Sequence, residues 1–268
     1  MTILTLMFTA LAVALPAFLV LFLVARRIGN FGIVDIAWAG GFAPAAVFYG
    51  LCGAGSTSGR VLAAVTGGLW SLRLGGYLAK RVLGHLGVED GRYRELRREW
   101  AGALDVKMGA FFAFQGLLLV ALSLPFALAA SNPSPRLSLV QLVGVAVWLV
   151  ALAGEALADG QLAAFKREAA NAGRVCDRGL WGLSRHPNYF FEWLVWVGFA
   201  LLALPARHGW LAFGCPVLMF VFLTRVTGIR YTEEQLLRSK GEAYRDYQRR
   251  TSAFVPWFPR RASGGPNP

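Results

Sequence analysis

GLWGLSRHPNYFFEW, running from Gly179 to Trp193, sets a basic turn directly against an apolar helix. Pro187 suits the first helical position, because its missing N–H has no intrahelical partner to lose there. The free N–H groups of such a first turn, together with the helix dipole, form an anion site. Arg185 adds a planar fork of donors suited to phosphate, and Asn188 offers an amide for a ribose or a carboxamide. Glu192 follows Asn188 by one turn on the same face. A second reading is open at this point. Arg185 and His186 equally mark the border at which a membrane-spanning helix meets the cytoplasm.

Outward from this stretch the chain is apolar almost throughout. Of 268 residues, 56% are hydrophobic and only 16% charged, and the mean hydropathy is +0.50. Apolar runs near the roughly 20 residues needed to cross a bilayer recur over residues 3–25, 31–51, 61–82, 107–130, 137–159, 188–206 and 209–229. The sixth is short. Residues 1–25 lack the basic start and the small-residue cleavage site of a secretory signal, so they count as the first span. The expectation is an all-α, polytopic membrane protein of seven transmembrane helices. One domain covers residues 1–262, and 263–268 form a disordered tail.

The formal net charge of +12 is arranged for a membrane rather than for nucleic acid. With the N-terminus outside, nearly all Lys and Arg residues fall in inner loops or after Arg225. Only Arg60, Arg136 and Arg207 mark the outer side, and no acidic residue lies there. This positive-inside bias orients the chain N-out and C-in, in what reads as a bacterial inner membrane. The basic excess therefore calls for no nucleic-acid partner. Three scattered cysteines and three histidines give no ligand spacing, so no metal site is expected.

Ionisable groups inside spans are costly and mark function by default. Asp35, Arg73, Gln115, Glu155, Asp159, Glu192 and Arg225 all fall in the cytoplasmic half of their helices, which reads as a polar cavity open to the cytoplasm. Asp35 and Trp38 share a face of the second helix. Trp70, Arg73 and Tyr77 share one of the third, and Glu155, Asp159 and Lys166 form a stripe along the fifth. The structural alternative is internal pairing, with Asp35–Arg73 the obvious pair. Tyr231–Pro259 is too polar to span and reads as an amphipathic helix at the inner surface. EDGRYRELRREW, Glu89 to Trp100, reads as a basic, solvated surface helix with Tyr93 its most interesting member.

Together, GLWGLSRHPNYFFEW, GEAYRDYQRRTSAFVPWFP (residues 241–259), NFGIVDIAW (residues 30–38) and YRELRREW (residues 93–100) resemble the membrane steroid 5α-reductase superfamily. The nearest likeness is to its bacterial branch, grouped as a domain of unknown function. The resemblance implies NADPH as cofactor. On it, Asp159 and Lys166 match the acidic and basic cofactor positions of the fifth helix, with Glu155 at a neighbouring position. Asn188 and Glu192 match the nicotinamide end, and Arg225 matches a basic contact on the seventh helix. Arg174, Arg178, Arg185, His186, Tyr189 and Arg230 complete a basic rim around the cofactor. Asp35, Trp38, Trp70, Arg73 and Tyr77 form the substrate side.

The chain also departs from that pattern. Trp70 stands where the steroid enzymes place a Tyr that donates to the substrate carbonyl, and an indole N–H donates a hydrogen bond but no proton. Asp35 either stays protonated and donates to an oxyanion, or is ionised and orients other donors. The expected function is NADPH-dependent hydride transfer to a polarised C=C bond of a steroid-like or isoprenoid lipid drawn from the bilayer. The alternative is an isoprenylcysteine-type methyltransferase using S-adenosylmethionine, which shares the RHPNY element and draws on Glu233 and Glu234. A transporter or lipid-binding protein is the third class.

Overall fold

The computed structural model describes residues 1–226 and 228–260; the tail expected at 263–268 lies outside them. The described residues form helices and no strands, with one isolated parallel bridge between Ser184 and Ser252. In chain order the helices are α1 (Ile3–Ile28), α2 (Ile33–Cys52), α3 (Thr57–Leu83), α4 (Gly91–Glu99), α5 (Leu104–Leu122) and α6 (Leu124–Ala129). They continue with α7 (Leu139–Arg167), α8 (Leu180–Leu183), α9 (Pro187–Ala203), α10 (Gly214–Val221), α11 (Ile229–Lys240) and α12 (Glu242–Arg250).

Among the described residues, five stretches are long and apolar enough to cross a membrane: Ile3–Ile28, Ile33–Cys52, Ala101–Ala129, Leu139–Arg167 and Gly209–Lys240. Two of the seven expected spans are of a different kind. α3 has 27 residues, about 40 Å at 1.5 Å per residue, but it carries Arg60, Arg73, Lys80 and Arg81. α9 has 17 residues, about 25 Å against a hydrocarbon core of roughly 30 Å. In the last stretch the apolar part ends in a π-turn at Phe222–Val226. α11 beyond it is polar, with Arg230, Glu233, Glu234, Arg238 and Lys240 along it.

The chain packs as two compact units, one of residues 1–142 with 201–212 and the other of 143–200 with 213–260. In the first unit, α2 and α3 pair along small residues. A Cβ at Gly75 would sit 3.1 Å from the Cα of Gly40, and one at Gly67 would sit 2.8 Å from Ala46 Cβ. Close backbone approach through small residues is how helices associate where lipid supplies no hydrophobic drive. Ser71 Oγ donates to Ala39 O (2.6 Å) and accepts from Ala43 N (2.8 Å), tying the same pair. Phe22, Phe31 and Phe112 pack as a ring cluster where α1 and α5 meet.

In the second unit, α7 and α9 also meet at glycines. Gly198 lies against Trp148, and Gly154 against Phe191. The segment after α12 runs extended alongside the start of α9. Arg185 N donates to Ser252 O (2.8 Å), Trp257 N to Leu183 O (2.9 Å), and Ser184 Oγ to Phe254 O (2.8 Å). Phe254 packs edge-on against Phe190, Trp193 and Phe220. The single amphipathic helix expected over Tyr231–Pro259 is in fact two helices and this strap. The break is at Gly241, whose φ of 54° lies in a region that a side chain strongly disfavours. Tyr244 and Tyr247 are buried rather than exposed at a surface.

Candidate functional site

The residues expected on the substrate side all fall in the first unit, and those expected on the cofactor side all fall in the second.

In the first unit Asp35 is the centre of a polar network. Its Oδ2 accepts from Arg92 Nη2 (2.7 Å) and its Oδ1 from the Tyr93 hydroxyl (2.7 Å). Arg81 Nη2 stands 3.7 Å away. The internal pairing raised as the structural alternative for Asp35 is thus made with partners on α4 and at the end of α3, not with Arg73. Both oxygens act as acceptors, so Asp35 orients the donors of others rather than donating itself. The α4 helix exists as expected but is not a wholly solvated one. Asp90 caps it by accepting from Arg92 N (3.0 Å), which turns Tyr93 inward until it is 3% exposed. Burial, and then the Asp35 charge, push the Tyr93 phenol well above its ordinary value, so it remains a donor at any physiological pH. Glu89 accepts from Phe31 N (2.8 Å) and from Arg97, anchoring the α3–α4 loop to the start of α2.

Trp38 and Trp70 both meet Phe42 edge-on, at 5.0 and 5.1 Å between ring centroids. Trp70 is fully buried, whereas Arg73 is half-buried and Tyr77 exposed.

In the second unit the structure brings Asp159 and Asn188 together, with Asn188 Nδ2 donating to Asp159 Oδ1 at 3.3 Å. Asn188 Oδ1 in turn accepts from Tyr189 N (3.0 Å). Glu155 and Glu192 are buried, and Glu192 Oε1 accepts from Trp196 Nε1 (2.9 Å), one turn along α9. Lys166, Arg174, Arg178, Arg225 and Arg230 are exposed. Of these, only Arg230 forms an ion pair among the described residues, with Glu234 at 3.3 Å.

Arg185 and His186 are placed differently from the sequence expectation. Arg185 Nε donates to Glu233 Oε1 (2.7 Å), and its Nη1 donates to the carbonyls of Gln248 (3.1 Å) and Thr251 (2.6 Å). His186 Nε2 lies 3.2 Å from the same Glu233 oxygen. Tyr244 and Gln248 also donate to Glu233. The Tyr247 hydroxyl donates to the carbonyls of Trp181 and Ser184. The basic turn is therefore a clamp on α11 and α12, with its donors engaged inside the protein. Burial tends to raise the Glu233 carboxyl, but the bonds from His186 and Arg185, and the Arg185 charge, hold it down at about 2. Burial lowers His186, outweighing the pull of Glu233, so the imidazole is neutral near pH 7. Tyr189 stacks on His186 with centroids 5.4 Å apart.

Of these partners, Glu233 was visible in the sequence only as half of an acidic pair. Arg92, Gln248 and Thr251 carried no signal, because each meets its partner from a distant part of the chain.

The family model described as "Protein of unknown function (DUF1295)" matches residues 21–251. The chain belongs to the DUF1295 family. The DUF1295 match runs from within α1 to the end of α12, so it takes in both the Asp35 network and the Glu233 clamp. Neither the curated proteins nor the solved structures give a match.

A nicotinamide dinucleotide phosphate asks for hydrogen-bonding groups at ribose and amide and for cations at its phosphates. Asp159 and Asn188 fit the first, and the exposed Lys166, Arg174 and Arg178 fit the second. No group of three or more His, Cys, Asp or Glu able to hold a metal occurs among the described residues.

Proposed function

We propose that this protein is an NADPH-dependent membrane reductase acting on a polarised C=C bond of a steroid-like or isoprenoid lipid, with seven spans, the N-terminus outside and the cofactor taken from the cytoplasm. The observation that carries the reading is the Asn188–Asp159 contact. It joins the start of α9 to α7, one residue pair that the family resemblance assigns to the cofactor. Lys166 lies two turns further along α7, about 10 Å from Asp159, a reach suited to a phosphate beyond a ribose.

NADPH supplies the hydride. The chain's own residues bind and orient. Asp159 and Asn188 hold the ribose and carboxamide, and Lys166, Arg174 and Arg178 neutralise phosphate. Arg185 and His186 act through Glu233 by fixing the turn that presents Asn188. In the first unit, Asp35 fixes the Tyr93 hydroxyl, a phenol that the sequence singled out on α4 without giving it a role, where Trp70 stands in place of the superfamily's Tyr. The methyltransferase alternative draws on Glu233, whose oxygens are already engaged by Arg185, His186, Tyr244 and Gln248.

The test is the melting temperature of the detergent-purified protein with NADPH, NADH or S-adenosylmethionine. A ligand at 100 times its dissociation constant stabilises by about 2.7 kcal/mol. Stabilisation by NADPH that is lost in Asp159→Ala and Lys166→Ala supports the reductase. A response to S-adenosylmethionine alone promotes the methyltransferase, and no response to any of the three sinks both.

A further inference from the structure

The strap that follows α12 ends in an exposed aromatic tip. Val255 is 52%, Trp257 70% and Phe258 81% exposed, whereas no large apolar side chain is exposed among the described residues of 228–254. α12 buries Tyr244 and Tyr247 and presents Glu242, Arg245, Asp246 and Arg249 outward. Large apolar side chains scattered singly over a surface need no explanation, but three within four residues form a patch that calls for a partner.

The backbone presents this tip rather than leaving it loose. Phe254 is buried against Phe190, Trp193 and Phe220. Trp257 N donates to Leu183 O (2.9 Å) and Arg260 N to Arg250 O (2.9 Å). Pro256 and Pro259 add two fixed φ angles of about −65°. The level of the tip follows from α8. Trp181 Nε1 donates to Ala158 O (2.9 Å), and Leu180 N donates to Gln161 Oε1 (2.9 Å). Ala158 and Gln161 stand nine and six residues before Arg167, the last residue of α7, about 14 and 9 Å. Leu183, and Trp257 with it, is therefore level with the last turns of α7 rather than beyond its end. α7 is one of the helices long and apolar enough to cross a membrane, and Leu157, beside Ala158, is exposed on it. The medium that covers Leu157 at that level is lipid.

We propose that Val255, Trp257 and Phe258 insert into the membrane–water interface beside the end of α7, forming an aromatic anchor on the bilayer. Amphipathic aromatic rings, Trp above all, concentrate at that level of a membrane. Arg260 is exposed, and a long basic side chain beside inserted apolar ones extends its charge to the headgroups. α12, charged on its outer face, stays in water. The membrane contact thus belongs to the short tip and not to the amphipathic helix that the sequence suggested over the same segment. The strap is then held twice, by Arg185 N on Ser252 O and by the bilayer a few residues further on. The anchor is independent of the reductase reading, since none of its residues belongs to the cofactor or substrate sets.

The experiment uses the full chain reconstituted in phospholipid vesicles, with tryptophan emission as the probe. The chain has nine Trp residues, so the signal of Trp257 is taken as the emission lost in Trp257→Phe. In that background, Phe258→Trp reports the neighbouring position and Ala243→Trp the outer face of α12. Quenching is measured with phosphatidylcholine brominated on the upper acyl chain and with aqueous acrylamide. The expected result is that emission from positions 257 and 258 is blue-shifted and lost to the brominated lipid. Emission from position 243 should be lost to acrylamide and spared by the lipid. Loss of the 257 and 258 signals to acrylamide alone overturns the proposal, because the tip then stands in water. Equal lipid quenching at 243 overturns it as well, since the whole segment then lies on the membrane. Signals shielded from both quenchers overturn it in favour of a second copy of the chain covering the tip.

Discussion

Arg185 Nε and Glu233 Oε1 lie 2.7 Å apart, closing a contact across 48 residues that locks the RHPNY turn to α11. The two side chains are 10% and 15% exposed, so removing one leaves the other buried without its charge. Arg185→Ala should cost about 3–5 kcal/mol of stability. Arg185→Lys should recover little, because an ammonium cannot reproduce the fork that also reaches Gln248 and Thr251. Denaturant unfolding in detergent reads both. A phosphate ligand would behave otherwise, changing NADPH affinity while leaving stability intact.

The same clamp makes the protein acid-sensitive in two stages. His186 is depressed from 6.5, so the unfolded chain takes up its proton first, and stability falls as pH drops below about 6.5. Glu233 is depressed from 4.5 to about 2, so its contribution, full above 4.5, is lost on acidification towards 2. Melting temperature against pH should therefore decline on the acid side from near 6.5. His186→Gln should flatten the curve between about pH 6.5 and 5, a window set by the His and Glu reference values. An unchanged slope in that variant would contradict the neutral, Glu233-bonded imidazole.

The Asp35–Tyr93 bond should be worth more than a solvent-exposed one, because Tyr93 is 3% exposed. Tyr93→Phe is expected to lose about 1–3 kcal/mol, the cost of leaving a buried partner short of a donor. A double-mutant cycle with Asp35→Asn should show a coupling of about 0.5–3 kcal/mol. Additive single effects would mean that the two side chains act separately.

Lys166, Arg174 and Arg178 are exposed, so any attraction they exert on a phosphorylated cofactor is screened by salt. Measured by titration calorimetry, NADPH affinity should fall as salt rises from about 0.05 M to about 0.5 M, where the Debye length shrinks below roughly 10 Å. Lys166→Ala should reduce that slope.

Gly75 packs its Cα face on Gly40. Gly75→Leu should separate α2 from α3 and lower the melting temperature more than Gly76→Leu, whose Cβ meets nothing within 4 Å. The comparison separates close packing from loss of a glycine as such.

Much of the helical layout was legible in the amino-acid order, because hydropathy and helix periodicity are local properties. The runs at 3–25, 31–51, 107–130, 137–159 and 209–229 each correspond to a stretch apolar and long enough to cross a membrane, and the short 188–206 run is indeed a 17-residue helix. The α4 helix was readable from its charge pattern in the same way. The family resemblance had assigned Asn188 and Asp159 to the same cofactor, but their contact was not foreseen in the amino-acid order.

What only the tertiary structure decided is where each charge finds its partner. Asp35 meets Arg92 and Tyr93 across 57 and 58 residues, and Arg185 meets Glu233 across 48. An ion pair is chosen by distance and burial in space, and a linear pattern of apolar and polar residues carries neither. The amino-acid order determined that the chain is all-helical and holds several helices apolar enough to cross a membrane. Folding decided which charges clamp the protein to itself and which stay exposed.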